Sequence, residues 1–328
     1  MIFRISLAFL ISVFVSMAFA DGLHEHSNRA ARTWTKLAPI KPPVMHERFH
    51  AVLWIQSSPE YEMCCQQIFH SAKKQLLQAI DDEEWTAAIE QEAPFPKAKA
   101  IIVDVDETVL DNSPAEAHQV IRGTTPEMGG FNPSDFGKWV ELAEARPIPG
   151  ADDFIAFVRQ QGVKVFYVTN RERKEATYRN VKKTLDQKVS RDELIVKDPI
   201  HGYEKTHRRA MIAKTHRILL LLGDDYNDFV SLGDKYAPSE RKEIARKYKK
   251  YWGERWFILP NPLYGSFEKA AKKHPVEDKT NALESIRIQS LARRRKLKLS
   301  NIELEALRKK RAANLNKKAS HLRPMSTR

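Results

Sequence analysis

Three short apolar runs, each ending in polar or acidic residues, constrain this chain more than any other feature. Ala100-Ile101-Ile102-Val103 runs into Asp104-Val105-Asp106-Glu107-Thr108. Val163 to Val168 runs into Thr169-Asn170-Arg171, and Ile218 to Leu222 into Gly223-Asp224-Asp225-Tyr226-Asn227-Asp228. Helical stretches alternate with these runs over 97–265, the pattern of an α/β fold with a central parallel sheet and crossover helices. In such a sheet, ligands bind in the crevice outside the carboxyl ends of the strands. Three strands therefore aim acids, a hydroxyl and an arginine at one crevice.

Asp104 and Asp106 stand two apart where a strand gives way to a loop, so one can face a reacting phosphorus while the other leans over the leaving group. Asp224 and Asp228 add negative charge that is costly to hold together without a cation. An all-oxygen set of carboxylates suits Mg²⁺, which works with substrate phosphate. Carboxylates also serve as nucleophiles in covalent phosphoryl chemistry. Any one of these acids alone reads as a solvated turn or a helix cap, but all of them at successive strand ends do not.

Asp104-Val105-Asp106-Glu107-Thr108, Thr169-Asn170-Arg171 and the Gly223–Asp228 stretch, with Lys205 nineteen residues before Asp224, resemble the four-motif pattern of the haloacid dehalogenase (HAD) superfamily. More narrowly, the chain resembles the class C acid phosphatases. The matching stretches are 104–112, Leu53-Trp54 through Glu60-Tyr61, Lys138-Trp139-Val140 leading to Pro149-Gly150-Ala151, and 259–266. The resemblance implies a three-layer Rossmann-like core over 51–270, with a smaller, mostly helical cap drawn from 51–95 and 112–148. It implies Asp104 as nucleophile, Asp106 as general acid and base, Thr169 on a phosphoryl oxygen and Lys205 as charge partner. Mg²⁺ is implied on an Asp104 oxygen, the Asp106 main-chain carbonyl and Asp224, with Asp228 as a further or water-mediated ligand.

The implied substrates are phosphomonoesters, with nucleoside 5′-monophosphates favoured; sugar phosphates and phosphoproteins are the alternatives within the same chemistry. Phe131, Phe136, Trp139, Tyr226 and Tyr264 are candidates to stack on a base, against a plain core role for each. Asn170 and Arg171 are expected to bind substrate or to brace their loop. A homodimer is implied by the resemblance alone. The different-class reading is a surface-binding protein on a catalytically idle phosphatase fold.

The ends of the chain read differently. Arg4, the largely apolar run Ile5–Phe14 and Ala18-Phe19-Ala20 give a cleavable signal peptide over 1–20 and an exported protein, periplasmic or secreted. No cysteine stands at the cleavage point, so a lipid anchor is not expected. Residues 21–50 read as a flexible leader, rich in proline and histidine, whose His24, His26, His46 and His50 lack a matching ligand spacing. Apolar positions Tyr61, Cys65, Ile68, Leu76 and Ile80 predict an amphipathic helix from Ser58 to Ile80. Cys64 and Cys65, the only two cysteines, are adjacent and pair poorly, so they read as small helix residues with at least one buried. The net charge is +13, yet residues 271–328 hold 17 Lys+Arg against 5 Asp+Glu and the rest is nearly neutral. That tail reads as a solvated, partly helical extension or as a contact for anionic surfaces such as lipid headgroups. No base-reading motif is present, so sequence-specific nucleic-acid recognition is not expected.

Overall fold

Ile101 and Val103 bury their side chains on one side of the first strand, and Ala100 and Ile102 bury theirs on the other. That alternation is what a pleated strand covered on both faces requires. The computed structural model describes residues 48–122, 133–231 and 235–273. Strand β1 (Lys99–Val103) lies at the centre, between β4 (Lys164–Val168) and β6 (Arg217–Gly223). The edges are β5 (Leu194–Ile195) and β7 (Trp256–Ile258), in the order β5-β4-β1-β6-β7. All four pairings are parallel, with Ile101 opposite Val165 and Val103 opposite both Tyr167 and Leu222. The three strands expected from the sequence are each present within a residue of their predicted ends.

Helices cover both faces. Helix α1 (Phe49–Ser57) is followed by α2 (Pro59–Asp81). Ser58 caps α2, its hydroxyl accepting from the Tyr61 N–H at 3.2 Å, and Pro59 occupies the first turn, where its missing N–H costs nothing. The predicted helix is thus present. Its buried stripe is Tyr61, Cys65, Phe69, Ala72, Leu76 and Ala79, with Ile68 and Ile80 only partly buried beside it. Cys65 is in the core and Cys64 half-buried; both are free thiols. This stripe packs on α5 (Ala151–Gln160) through Phe154, Ile155 and Val158. On the other face, Ile212 and Ala213 of α7 (Thr206–Ala213) join Phe229, Val230 and Trp256.

Between β1 and β4 the chain makes a small excursion. Strand β2 (Leu110–Asp111) pairs antiparallel with β3 (Arg146–Pro147), closing the base of an insert that contains α3 (Ser113–Arg122) and α4 (Pro133–Leu142). Helix α6 (Lys174–Thr184) follows β4, and α8 (Pro238–Lys247) and α9 (Ser266–Lys273) complete the order. Helix α1 starts inside the stretch read as leader: Arg48 is buried, donating to Glu116 at 2.7 Å, and this ion pair draws the chain onto α3. Similarly, α9 extends to Lys273, inside the stretch read as tail. The stretch read as a signal peptide, the rest of the stretch read as leader with His24, His26 and His46, Phe131, and the residues beyond 273 lie outside the described residues. No helix among the described residues is long and apolar enough to cross a membrane.

The β7 edge is held by aromatic packing. Trp256 is fully buried, its ring within 4.6–5.6 Å of Tyr251, Tyr248, Trp252 and Phe229, and its indole N–H donates to the Ala87 carbonyl at 2.7 Å. Trp256→Ala should therefore destabilise the protein by about 3–5 kcal/mol in denaturant titration, the usual cost of emptying a buried aromatic site. A change below ~1 kcal/mol would show that the cluster collapses around the gap and does not hold this edge.

Candidate active site

Asp104 is the first residue past β1, and its main-chain N–H still donates to the Leu222 carbonyl of β6 at 2.9 Å. The sheet thus fixes where its carboxylate starts. Lys205, which caps the start of α7, reaches back and donates through Nζ to Asp104 Oδ1 in a short bond and to Asp228 Oδ1 at 2.6 Å. Asp228 closes a 3₁₀ turn (Tyr226–Asp228) immediately after β6. That turn folds tightly onto Gly223: a Cβ there would lie 2.2 Å from Asp228 Oδ2, so no side chain fits. Asp224 completes the group, and one carboxylate oxygen each from Asp104, Asp224 and Asp228 lies within 4.8 Å of the others. The Thr108 hydroxyl stands 3.2 Å from Asp224 Oδ1 and 3.4 Å from Asp104 Oδ2, while Asn261 Nδ2 donates to Asp224 Oδ2 at 2.7 Å.

Asp106 belongs to a separate network. The loop after β1 turns back within one helical turn, with Leu110 N–H donating to the Val105 carbonyl and Glu107 at φ 54°. Asp106 Oδ1 accepts from Asn112 Nδ2 and from Arg171 Nε, both at 2.8 Å, and Oδ2 lies 3.3 Å from the Thr169 hydroxyl. Asn112 Oδ1 in turn accepts from Trp139 Nε1 of α4 at 2.8 Å and from Arg171 Nη2 at 3.0 Å. Asn170 and Arg171 both make side-chain contacts that hold their loop. Arg171 is buried against Asp106 and Asn112, and Asn170 Oδ1 accepts from Arg208 at 2.7 Å. Tyr264 is half-buried against the main core, with the Arg48 guanidinium 5.8 Å from its ring centre, and Tyr226 packs on Trp252.

The profile of the family described as HAD superfamily, subfamily IIIB (Acid phosphatase) matches residues 17–267. The chain belongs to this family. It is also similar to the class C acid phosphatase from Bacillus anthracis: 28% sequence identity and a TM-score of 0.62, covering 75% of this chain and 96% of the other. A second structure of a class C acid phosphatase from that organism, with tungstate bound, matches at 27% identity and 0.62, covering 75% and 97%. The protein is an acid phosphatase, a hydrolase of phosphomonoesters.

The electrostatics of the phosphatase's crevice follow from counting its charges. Three carboxylates face Lys205, which bonds two of them, and the more distant guanidinium of Arg208. Burial disfavours the Lys205 ammonium, but Asp104 and Asp228 outweigh it and hold its pKa above the ordinary lysine value. Burial, reinforced by Asp104 and Asp228, pushes the Asp224 carboxyl well above the usual carboxylate range. Burial likewise pushes Asp228 up to about 7, against the pull of Lys205. A cluster with more negative charge than it can neutralise is a fitting seat for a divalent cation, and its donors are all oxygen. Both oxygens of Asp228 already accept hydrogen bonds, from Lys205 and from the Asp225 N–H, whereas Asp104 and Asp224 converge on Thr108.

The sequence reading gave no role to Thr108, Asn112 or Asn261, although each lies in a stretch that carries the family resemblance; Arg208 carried no such signal. Because Asp228 binds its proton more tightly folded than unfolded, stability of the cation-free protein should fall as pH rises from about 4 to about 7. Added divalent cation should therefore raise the thermal midpoint more at pH 7 than at pH 5. Equal increments at both pH values would mean that the cation does not bind among these acids.

Proposed function

We propose that this acid phosphatase is exported, depends on Mg²⁺, and hydrolyses nucleoside 5′-monophosphates through a phosphoryl group carried on Asp104. The observation that carries the reading is the division of labour at the end of β1: Asp104 sits with Lys205 and the acids, and Asp106 sits with hydrogen-bond donors two residues away. Asp104, Asp224 and the Asp106 main-chain carbonyl would hold Mg²⁺, with Asp228 acting through its charge or a water. When bound, the ion supplies neutralising charge between the carboxylate and the phosphoryl oxygens.

The chain's own groups do the rest. An Asp104 oxygen attacks phosphorus in line as the ester P–O bond breaks. Oδ1 of Asp106 is taken by Arg171 and Asn112, so Oδ2, beside Thr169, carries the proton that passes to the leaving oxygen. Ionised Asp106 then removes a proton from the water that attacks the phosphoryl group, which releases phosphate and restores Asp104. Lys205, bonded to Asp104, offsets negative charge on the nucleophile and the phosphoryl group, and Thr169 moves its hydroxyl onto a phosphoryl oxygen. The tungstate-bound relative supports an oxyanion seat in this fold.

For the base, the favoured candidate among the described aromatics is Phe136 of α4, whose ring centre is 5.9 Å from the Arg171 guanidinium. The Trp139 ring is oriented by its bond to Asn112. Phe131 belongs to the same insert in sequence, and Tyr226 and Tyr264 are the remaining candidates.

Asp104→Asn should reduce phosphate release to background, and Asp106→Asn should reduce kcat by ~10²–10⁴, the range for losing a general acid. EDTA should abolish turnover, and Mg²⁺ should restore it. Among nucleoside monophosphates, sugar phosphates and phosphopeptides, the nucleotides should show the highest kcat/KM. Activity surviving in Asp104→Asn would reject the nucleophile, and a preference for sugar phosphates would reject the substrate class. The exported form should begin at Asp21. Salt-sensitive retention on anionic vesicles should vanish when the chain is cut after Lys273; retention unchanged by the cut would reject a surface contact by the basic tail.

A further inference from the structure

A second group of metal-binding side chains converges on the segment that leads into Lys205, outside the carboxylate cluster. We infer that Asp198, His201 and His207 form a separate site for a borderline transition-metal ion of the zinc type. Each offers one donor atom, and the three atoms lie within 4.8 Å of one another. The two imidazole rings are stacked, with centres 4.0 Å apart and 10° between their planes, so both are held at one place on the surface. Two nitrogens bound to one tetrahedral zinc at ~2.0–2.1 Å stand roughly 3.3 Å apart, so binding turns the exposed rings out of their stack while the donor atoms need to close only from within 4.8 Å.

Asp198 is already oriented for the task. Its Oδ1 accepts from the Ile200 N–H at 2.7 Å and its carbonyl from the Gly202 N–H at 2.8 Å, closing a tight turn. Oδ2 is hydrogen-bonded to His201 Nδ1 at 2.6 Å, a contact that an ion would replace with two coordinate bonds. His201 and His207 are exposed and Asp198 is partly so, which leaves an approach for the ion and a position for water. Two imidazoles and one carboxylate with an open position are zinc-type chemistry, whereas Mg²⁺ takes oxygen ligands. The two sites on this protein therefore select different cations.

The placement gives the site a consequence. Asp198 and His201 lie in the turn after β5, and His207 lies in the first turn of α7. Lys205 and the buried Arg208, which donates to the Thr169 carbonyl at 2.7 Å, belong to the same segment. An ion at the three side chains cross-links that segment from outside the crevice and stiffens it without entering the reaction.

The full chain, saturated with Mg²⁺, is titrated with Zn²⁺ by isothermal calorimetry beside His201→Ala, His207→Ala and Asp198→Asn. Other histidines can bind zinc weakly, so the readout is the difference between proteins. The wild type should bind one more equivalent than either histidine variant, and zinc should raise its thermal midpoint by more. Mg²⁺-supported turnover in each variant reports an intact fold. Asp198→Asn, which keeps an acceptor for the Ile200 N–H, should weaken that equivalent without deleting it. Identical zinc isotherms for the wild type and both histidine variants would overturn the site.

Discussion

The interaction on which the rest depends is the buried lysine held between two aspartates. Lys205 brings the start of α7 to the end of β1, and Asp228 brings the turn after β6 to the same point. Each partner would be costly to bury alone, because an unpaired buried charge has neither water nor counterion to stabilise it. Together they fix three elements of separate origin in one geometry. One ammonium cannot neutralise Asp104, Asp224 and Asp228, however, and burial, with the neighbouring acids adding to it, raises the carboxyl pKa values of Asp224 and Asp228. The pair that assembles the crevice therefore also leaves it short of positive charge, which is the property a cation-assisted phosphatase needs.

Strand order explains why two acids two residues apart meet such different surroundings. With β1 between β4 and β6, the loop after β1 has Thr169 and Arg171 on one flank and Asp224 and Asp228 on the other. Asp104 turns to the acidic flank and Asp106 to the flank that donates hydrogen bonds. A nucleophile must stay ionised and near a cation, while a proton donor needs one oxygen relieved of strong partners. The order of three parallel strands thus separates the two roles proposed for these acids before any side chain is chosen.

The strands and their terminal acids were legible in the sequence because a parallel sheet announces itself twice, in apolar runs and in the polar residues where each run stops. Lys205 was legible only through the resemblance, since a lysine in a charged stretch carries no mark of burial. Thr108, Asn112 and Asn261 were less visible still. Each acts by hydrogen bonds to an acid distant in sequence or across a loop, and no periodicity encodes such a bond. Asn170 and Arg171 could be placed at the crevice from their strand end, but their engagement with Arg208 and Asp106 needed the fold. The boundary of the leader moved for a similar reason: Arg48 is polar in sequence, yet its pairing with Glu116 across 68 residues buries it.

Asn112 shows how the insert and the chemistry become one system. Its Nδ2 donates to Asp106, and its Oδ1 accepts from both Arg171 and Trp139. It stands at the base of the insert that β2 and β3 close, and Trp139 stands on α4, the helix that carries Phe136. A shift of α4 that accommodates one substrate or excludes another must therefore stretch the indole bond to Asn112. The orientation of Asp106 changes with it, because the same amide holds the carboxylate oxygen that does not carry the proton. Misplacing a reacting group by an ångström is enough to lose much of its rate advantage. On the proposed mechanism, a ligand that fits the insert poorly would thus be disfavoured at the proton-transfer step as well as in binding, which puts selectivity where the leaving group departs.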